Sequence, residues 1–306
     1  MDTPNISDNF NHEKTIMGHP RGLVILFLTE MWERFSYYGM RGLLVVYLTQ
    51  HFLFSDEKSS LLYGAYTALV YVMTIIGGSL ADRYLGARKA VTFGAILLTL
   101  GHFGMTFEGS GSKQILSYNE SQFQIALDGR GGDAKQQIIT DSGKSYVTFT
   151  ETDMVIAEPE VVDLPKVISR DDFSMSVETE EGYLNMLYLS LALLIAGVGF
   201  LKANISTIVG SLYGFGDARR DSGFTIFYMG INMGAFLASI FCGYLGIVHG
   251  WKYGFGLAGI GMLIGLLVFL SCQSWLEGKA EPPSMEKLKE KVFKKTASAM
   301  GYKNVK

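Results

Sequence analysis

Six long apolar blocks, roughly residues 22–53, 59–81, 90–107, 183–213, 221–246 and 252–273, constrain this chain more than anything else in it. A run of about 20 apolar residues crosses a bilayer core as a helix, because lipid offers no partner for backbone N–H and C=O groups. The chain is therefore read as an all-α polytopic membrane protein with six spans, the longer blocks tilting or projecting beyond the bilayer. Hydrophobic residues make up 48% of the chain and glycine 36 of its 306 residues, and the clustering of the apolar ones into long blocks sets it apart from a soluble domain. No cleavable signal peptide is read, since the first twenty residues are polar and the first block is too long for an h-region.

The first block, Gly22 to Phe52, carries Glu30, Glu33, Arg34 and Arg41 in its interior. Each charge at mid-membrane opposes insertion by about 3 kcal/mol on translocon scales, so such residues are functional candidates. Glu30, Glu33, Arg34, Tyr37 and Arg41 recur at i, i+3, i+4, i+7 and i+11, which gathers them on one helical face. Two readings follow: an ion-pair network that locks this helix to a neighbour, or the lining of a pathway for protons or a charged solute. Lys202 is a second charge inside an apolar run. Its stem could snorkel to an interface, but Gly197, Gly199, Ala203 and Ser206 around it favour close helix approach and a buried lysine.

These residues also carry a resemblance. Glu30-Met31-Trp32-Glu33-Arg34-Phe35 is similar to the ExxERF motif of the proton-dependent oligopeptide transporters, a branch of the major facilitator superfamily. Gly77-Gly78-Ser79-Leu80-Ala81-Asp82-Arg83-Tyr84-Leu85-Gly86-Ala87-Arg88-Lys89 resembles the family's loop signature after the second span. Gly199-Phe200-Leu201-Lys202-Ala203-Asn204-Ile205 resembles its fourth-span lysine motif, and Phe227-Tyr228-Met229-Gly230-Ile231-Asn232 its FYxxIN signature. The loop motif alone indicates only the superfamily; four motifs in the correct order indicate the family.

The resemblance implies the six-helix amino-terminal bundle of the major facilitator fold. Its activity would be proton-coupled symport of di- and tripeptides across the cytoplasmic membrane, with substrate held between two six-helix halves. It assigns proton coupling to Glu30, Glu33, Arg34 and Lys202, and the peptide carboxylate to Arg41 and Lys202. Tyr37, Tyr38, Tyr71 and Asn232 would line the peptide pocket, although interhelical packing is the ordinary alternative for the tyrosines. Asp82, Arg83 and Arg88, with Lys89, would form a gating latch on the cytoplasmic side, where topogenic charge alone could explain Arg88 and Lys89 but not Asp82. Gly64 stands where animal relatives have a histidine, so no histidine relay is expected there. The implied partners are a di- or tripeptide, protons, the lipid bilayer and a missing carboxy-terminal half. No cofactor beyond the coupling proton and no nucleic acid are expected. A non-transporting half-length remnant or accessory subunit is the alternative, and a homodimer completing the pathway a third.

Orientation follows lysine and arginine placement. Arg83, Arg88 and Lys89 after the second block, Arg219 and Arg220 after the fourth, and a basic tail from Lys279 through Lys287, Lys289, Lys291, Lys294 and Lys295 to Lys306 share one side. That side is expected to be cytoplasmic, with both termini on it. The expected parts are a cytoplasmic segment 1–21, helices over 22–107, an extracytoplasmic insertion 108–182, helices over 183–273 and a tail or linker 274–306. The insertion holds fifteen Asp/Glu against six Lys/Arg between Glu108 and Glu181. Its runs Gln122–Leu127 and Tyr146–Ile156, with turn pairs Asp128-Gly129, Gly131-Gly132 and Ser142-Gly143, predict a small β-rich module, a disordered acidic loop being the alternative. Cys242 and Cys272 are read as packing residues. His12, His19, His51, His102 and His249 lack ligand spacing, and no nucleophile–base set is present, so neither a metal site nor an enzyme is expected.

Overall fold

The structure is a computed structural model that describes residues 14–129 and 135–281. The basic tail from Ser284, Gly131-Gly132, His12 and residues 1–13 of the polar amino-terminal segment lie outside the described residues. A short hairpin, β1 (Thr15–Ile16) and β2 (His19–Pro20), leads into α1 (Gly22–Gln50), α2 (Asp56–Leu80) and α3 (Ala87–Gly104). The insertion follows as β3 (Ser112–Tyr118), β4 (Ser121–Asp128), β5 (Lys135–Ile139), β6 (Lys144–Phe149), β7 (Asp153–Ile156), α4 (Pro159–Val162), β8 (Val167–Ser169) and β9 (Phe173–Thr179). The chain then returns to α5 (Glu181–Ser211), α6 (Arg220–Tyr244) and α7 (Trp251–Ser271).

Each of the six expected blocks holds one long helix, with ends within a few residues of those read from sequence. The helix at Asp56 starts where chemistry directs: the Ser55 hydroxyl accepts from Lys58 N–H, and Asp56 and Glu57 face the positive end of the helix dipole. Among the described residues four helices, counted with the π-turns that extend two of them, are long and apolar enough to cross a membrane: Asp56–Leu85, Glu181–Ser211, Arg220–His249 and Trp251–Ser271. Helix α1 is set apart by its interior charges, and α3 by its length of 18 residues and its start on Arg88 and Lys89.

α1 packs against α6 and α7, α3 against α5 and α7, and α2 against α5. Small residues let backbones meet. A Cβ built on Gly197 of α5 would lie 2.9 Å from the Gly94 carbonyl oxygen of α3, and one on Gly94 would lie 2.6 Å from that of Gly197. Two corners share one design: α2 continues through a π-helical turn (Ala81–Leu85) to Gly86, φ 77°, and α6 through another (Leu245–His249) to Gly250, φ 128°. Both φ values lie where a side chain is strained, which is why glycine closes each corner. Outward faces of α2 and α6 show large apolar side chains, among them Leu61, Ile75 and Phe236.

The insertion is a folded antiparallel sheet of order β8-β7-β6-β5-β4-β3-β9, so the alternative of a disordered loop is set aside for the described residues. Gln122–Leu127 lies within β4 as read. The Tyr146–Ile156 run is two strands, divided by a turn in which Thr150 N–H donates to the Asp153 carbonyl at 2.8 Å. β8 and β9 occupy opposite edges yet are joined by only Arg170–Asp172, so the sheet must curl until its edges stand within about 14 Å. Leu116, Ile125, Ile138, Val147, Met154, Ile168 and Phe173 fill the inside of that curl. The module begins and ends side by side: Ser112 pairs with Thr179, their hydroxyls 2.6 Å apart. It is moored to the end of α1, where Ser112 N–H donates to the His51 carbonyl at 2.8 Å and the His51 ring meets the Glu108 carbonyl at 2.7 Å.

Candidate transport site

The charged face of α1 is buried. Glu30, Glu33 and Arg34 are 3%, 0% and 4% exposed. Arg34 Nε lies 3.0 Å from Glu30 Oε1, one turn back, and in direct contact with Glu33 Oε2. Both contacts converge on the one Nε, so a single guanidinium faces two carboxylates. This triad alone is one charge negative. Lys202 of α5 acts electrostatically on both glutamates, and with it two anions face two cations. Glu30 Oε2, Glu33 Oε1 and Arg34 Nη2 have no hydrogen-bond partner among the described residues, so the cluster keeps both donor and acceptor capacity.

Further along α1, the Arg34 guanidinium sits 5.3 Å from the Tyr37 ring and that of Arg41 6.0 Å from it. Tyr37 and Tyr38 meet edge to face at 5.4 Å. Arg41 also donates through Nε to the Tyr63 hydroxyl and stacks 5.2 Å from its ring. Lys202 Nζ lies 5.0 Å from the Tyr71 ring, whose outer face is exposed. The structure thus gathers Glu30, Glu33, Arg34, Tyr37, Tyr38 and Arg41 of α1 with Tyr71 of α2 and Lys202 of α5. Asn232 of α6 stays apart: it is exposed, and its amide donates to the Tyr228 carbonyl of its own helix at 3.1 Å.

Two residues were missed. Tyr63 holds Arg41, and it lies eight residues before Tyr71 on the same face of α2, a spacing legible in sequence. Tyr66 is 2% exposed, its hydroxyl has no partner among the described residues, and it feels the charges of Glu33, Arg34 and Arg41. No signal in the sequence distinguishes it from a packing tyrosine. The described residues contain no group of three or more His, Cys, Asp or Glu placed to hold a metal.

At one end of the bundle, Asp82 and Arg83 are exposed and form no ion pair among the described residues. Arg88 instead binds Glu281, beyond α7, with both guanidinium ends at 2.7 and 2.9 Å, and its N–H donates to the Ala280 carbonyl at 3.1 Å. Lys279 donates to the Leu212 carbonyl at 2.9 Å, and Arg21 lies 3.5 Å from Glu277. The stretch after α7 is thereby strapped across the ends of α1, α3 and α5. Glu281→Gln is expected to lower overall stability by only about 0.5 kcal/mol, because the pair is half-exposed. Its effect should concentrate in faster hydrogen exchange at Arg88, whose amide the strap covers; unchanged exchange there would remove the strap.

In the α5–α6 loop, hydrogen bonds from Arg219 hold the Asp217 carboxyl down to about 2, below its usual 3.8. The contribution of that pair is full above pH 4 and is lost as pH falls through about 2. Acid between those values should therefore lower the protection of the Arg219 amide relative to its intrinsic exchange rate at each pH, since that amide donates to Asp217 Oδ1 at 2.9 Å. Asp217→Asn should abolish the pH step.

Comparison with known proteins points to one family. Residues 88–305 match the family model described as PTR2, the POT family, a stretch that excludes the ExxERF-like segment. The uncharacterized transporter YclF of Bacillus subtilis is 36% identical over 262 residues, 84% of this chain and 38% of that protein. The peptide transporter YePEPT of Yersinia enterocolitica is 33% identical over 268 residues, 86% of this chain and 39% of that protein. A crystal structure of a peptide transporter POT in complex with sulfate is 32% identical with a TM-score of 0.62, covering 94% of this chain and 46% of that one. The chain thus spans about two fifths of the length of the curated relatives it matches. These relatives are transporters rather than enzymes, the helices are those of an integral membrane protein, and the chain belongs to the POT family.

Proposed function

We propose that this chain forms the amino-terminal six-helix part of a proton-coupled carrier of di- and tripeptides in the cytoplasmic membrane. α1 and α3 complete six crossings, both ends of the part lie on the cytoplasmic side, and the β module projects outside. A second six-helix part supplies the opposite wall of the substrate cleft, a reading supported by the 46% coverage of the solved peptide transporter. The observation that carries the proposal is the buried Glu30–Arg34–Glu33 cluster with Lys202 reaching it from α5.

A zwitterionic peptide needs a cation for its carboxylate. Arg41, held by Tyr63, and Lys202, poised over Tyr71, present two such cations on neighbouring helices. When Lys202 or Arg34 turns to the peptide carboxylate, the glutamates lose a positive neighbour. A carboxylate deprived of its counter-ion in a buried site takes up a proton more readily. Peptide arrival and proton uptake are thus linked through exchange of one set of partners, with Tyr37, Tyr38 and Tyr71 as pocket walls. The charged corner at Asp82, Arg83 and Arg88 acts as the gating element. Asn232 serves as a rim contact.

The test is uptake of labelled dialanine into liposomes holding the chain alone or together with the carboxy-terminal half of the Yersinia transporter. Uptake that requires both parts, collapses when the proton gradient is dissipated and disappears in Glu33→Gln is the expected result. Uptake indifferent to the gradient would sink proton coupling. Failure of dialanine to bind the folded pair would sink peptide as the solute.

A further inference from the structure

We propose that the β module is a receptor for an organic ammonium group, the basic side chain of a peptide, bound in the pocket at its helix-remote end. β3 follows directly on α3 and β9 leads directly into α5, so Ser112 and Thr179 mark the helix-facing end. Tyr118 pairs with Phe173 at the opposite end. There a cavity of about 390 Å³ opens between the β3–β4 turn, the β5–β6 turn and the loop after α4. The mouth of a curled sheet is a common place for a small-molecule site.

The lining selects the ligand. Asp141 and Asp163, both exposed residues, are its only charged groups, and no hydrogen bond or ion pair engages either carboxylate among the described residues. An anion is excluded by sign. A neutral polyhydroxylated ligand would desolvate two carboxylates without neutralising them, which is unfavourable. A hard divalent cation wants six or more oxygen ligands, whereas the lining here includes the aromatic residues Tyr118 and Phe123 and the apolar Val162, Leu164 and Pro165. An ammonium on an aliphatic stem satisfies every part: the stem lies on apolar surface, the charge meets aromatic faces and carboxylates, and Asn119 and Ser142 accept its remaining hydrogens. The module's surroundings favour the same sign, since fifteen acidic minus six basic residues between Glu108 and Glu181 leave a net charge of −9. Such a field concentrates cations at the surface. Only the choice of peptides as the source of the ammonium rests on the transport reading; the binding chemistry does not.

The experiment is calorimetric titration of the detergent-solubilised full chain at low salt with Nα-acetyl-lysine methylamide. Blocked at both ends, this probe carries the ammonium but not the free termini that the intramembrane cluster would read. Nα-acetyl-norleucine methylamide is the uncharged match. The lysine probe is expected to bind and the norleucine probe not. Asp141→Asn with Asp163→Asn should weaken binding about tenfold, while Asp171→Asn with Asp172→Asn, which removes equal charge outside the pocket, should stay within about twofold. Ser142→Trp, which fills the mouth and leaves every charge in place, should abolish binding and guards against misfolding of the double variant. Equal binding of both probes, equal loss in both double variants, or binding undisturbed by Ser142→Trp would overturn the proposal. So would absence of lysine-probe binding, and if dialanine uptake persists, the module proposal alone falls.

Discussion

Arg34→Ala is expected to destabilise the folded bundle by about 3–5 kcal/mol, measured as loss of thermal stability in detergent. The substitution removes the guanidinium that touches both Glu30 and Glu33 and leaves two carboxylates at 3% and 0% exposure. Lys202 reaches them electrostatically but forms no ion pair with either. Taking away one partner of a buried ion pair is far more damaging than taking away all of them. Glu30→Gln and Glu33→Gln combined with Arg34→Met should therefore recover most of the stability while gradient-driven uptake stays absent. That dissociation separates a cluster kept for transport from one kept for folding. If Arg34→Ala alone melts within about 1 kcal/mol of the parent, the cluster is hydrated and the ion-clamp account is wrong.

The second large effect is expected at Gly199. A Cβ there would fall 2.7 Å from both the Cβ and the carbonyl oxygen of Met73 on α2. A backbone carbonyl cannot swing aside as the end of a flexible side chain can, so Gly199→Val must push α2 off α5. Overpacking of this kind opposes folding by about 3 kcal/mol. Lys202 lies one turn after Gly199 and Tyr71 two residues before Met73, so the same displacement separates the ammonium from its ring. On the transport reading proposed above, peptide affinity should fall together with melting temperature in this variant. Gly64 provides the contrast: nothing lies within 4 Å of a Cβ there, and Gly64→Ala should be silent or slightly stabilising in the same helix.

Helices were legible because lipid-compatible apolar runs leave the backbone few choices, and the ends of the six blocks differ from the helices by only a few residues. The triad was legible too, since i, i+3 and i+4 spacing fixes one face before any neighbour is known. The strands were harder. β9, FSMSVET, alternates Phe173, Met175 and Val177 with Ser174, Ser176 and Glu178, a readable period of two that was overlooked. β5 opens on Lys135-Gln136-Gln137 and β8 has three residues, so only their neighbours in the sheet make them strands. Contacts between elements were out of reach. Nothing local joins Arg88 to Glu281, 193 positions away, or Arg41 to Tyr63; helix packing decides both.

The adjacency of Ser112 and Thr179 makes the insertion a cassette. A segment that leaves and re-enters at one point asks nothing of the bundle except a gap the width of two neighbouring strands. The spacing of α3 and α5 is set within the helices, where Gly94 and Gly197 meet, and not by the module. Gain, loss or exchange of the module is then a single evolutionary step that leaves the helical body untouched. One helical body can thus carry a different module, or none, around the same buried ion clamp.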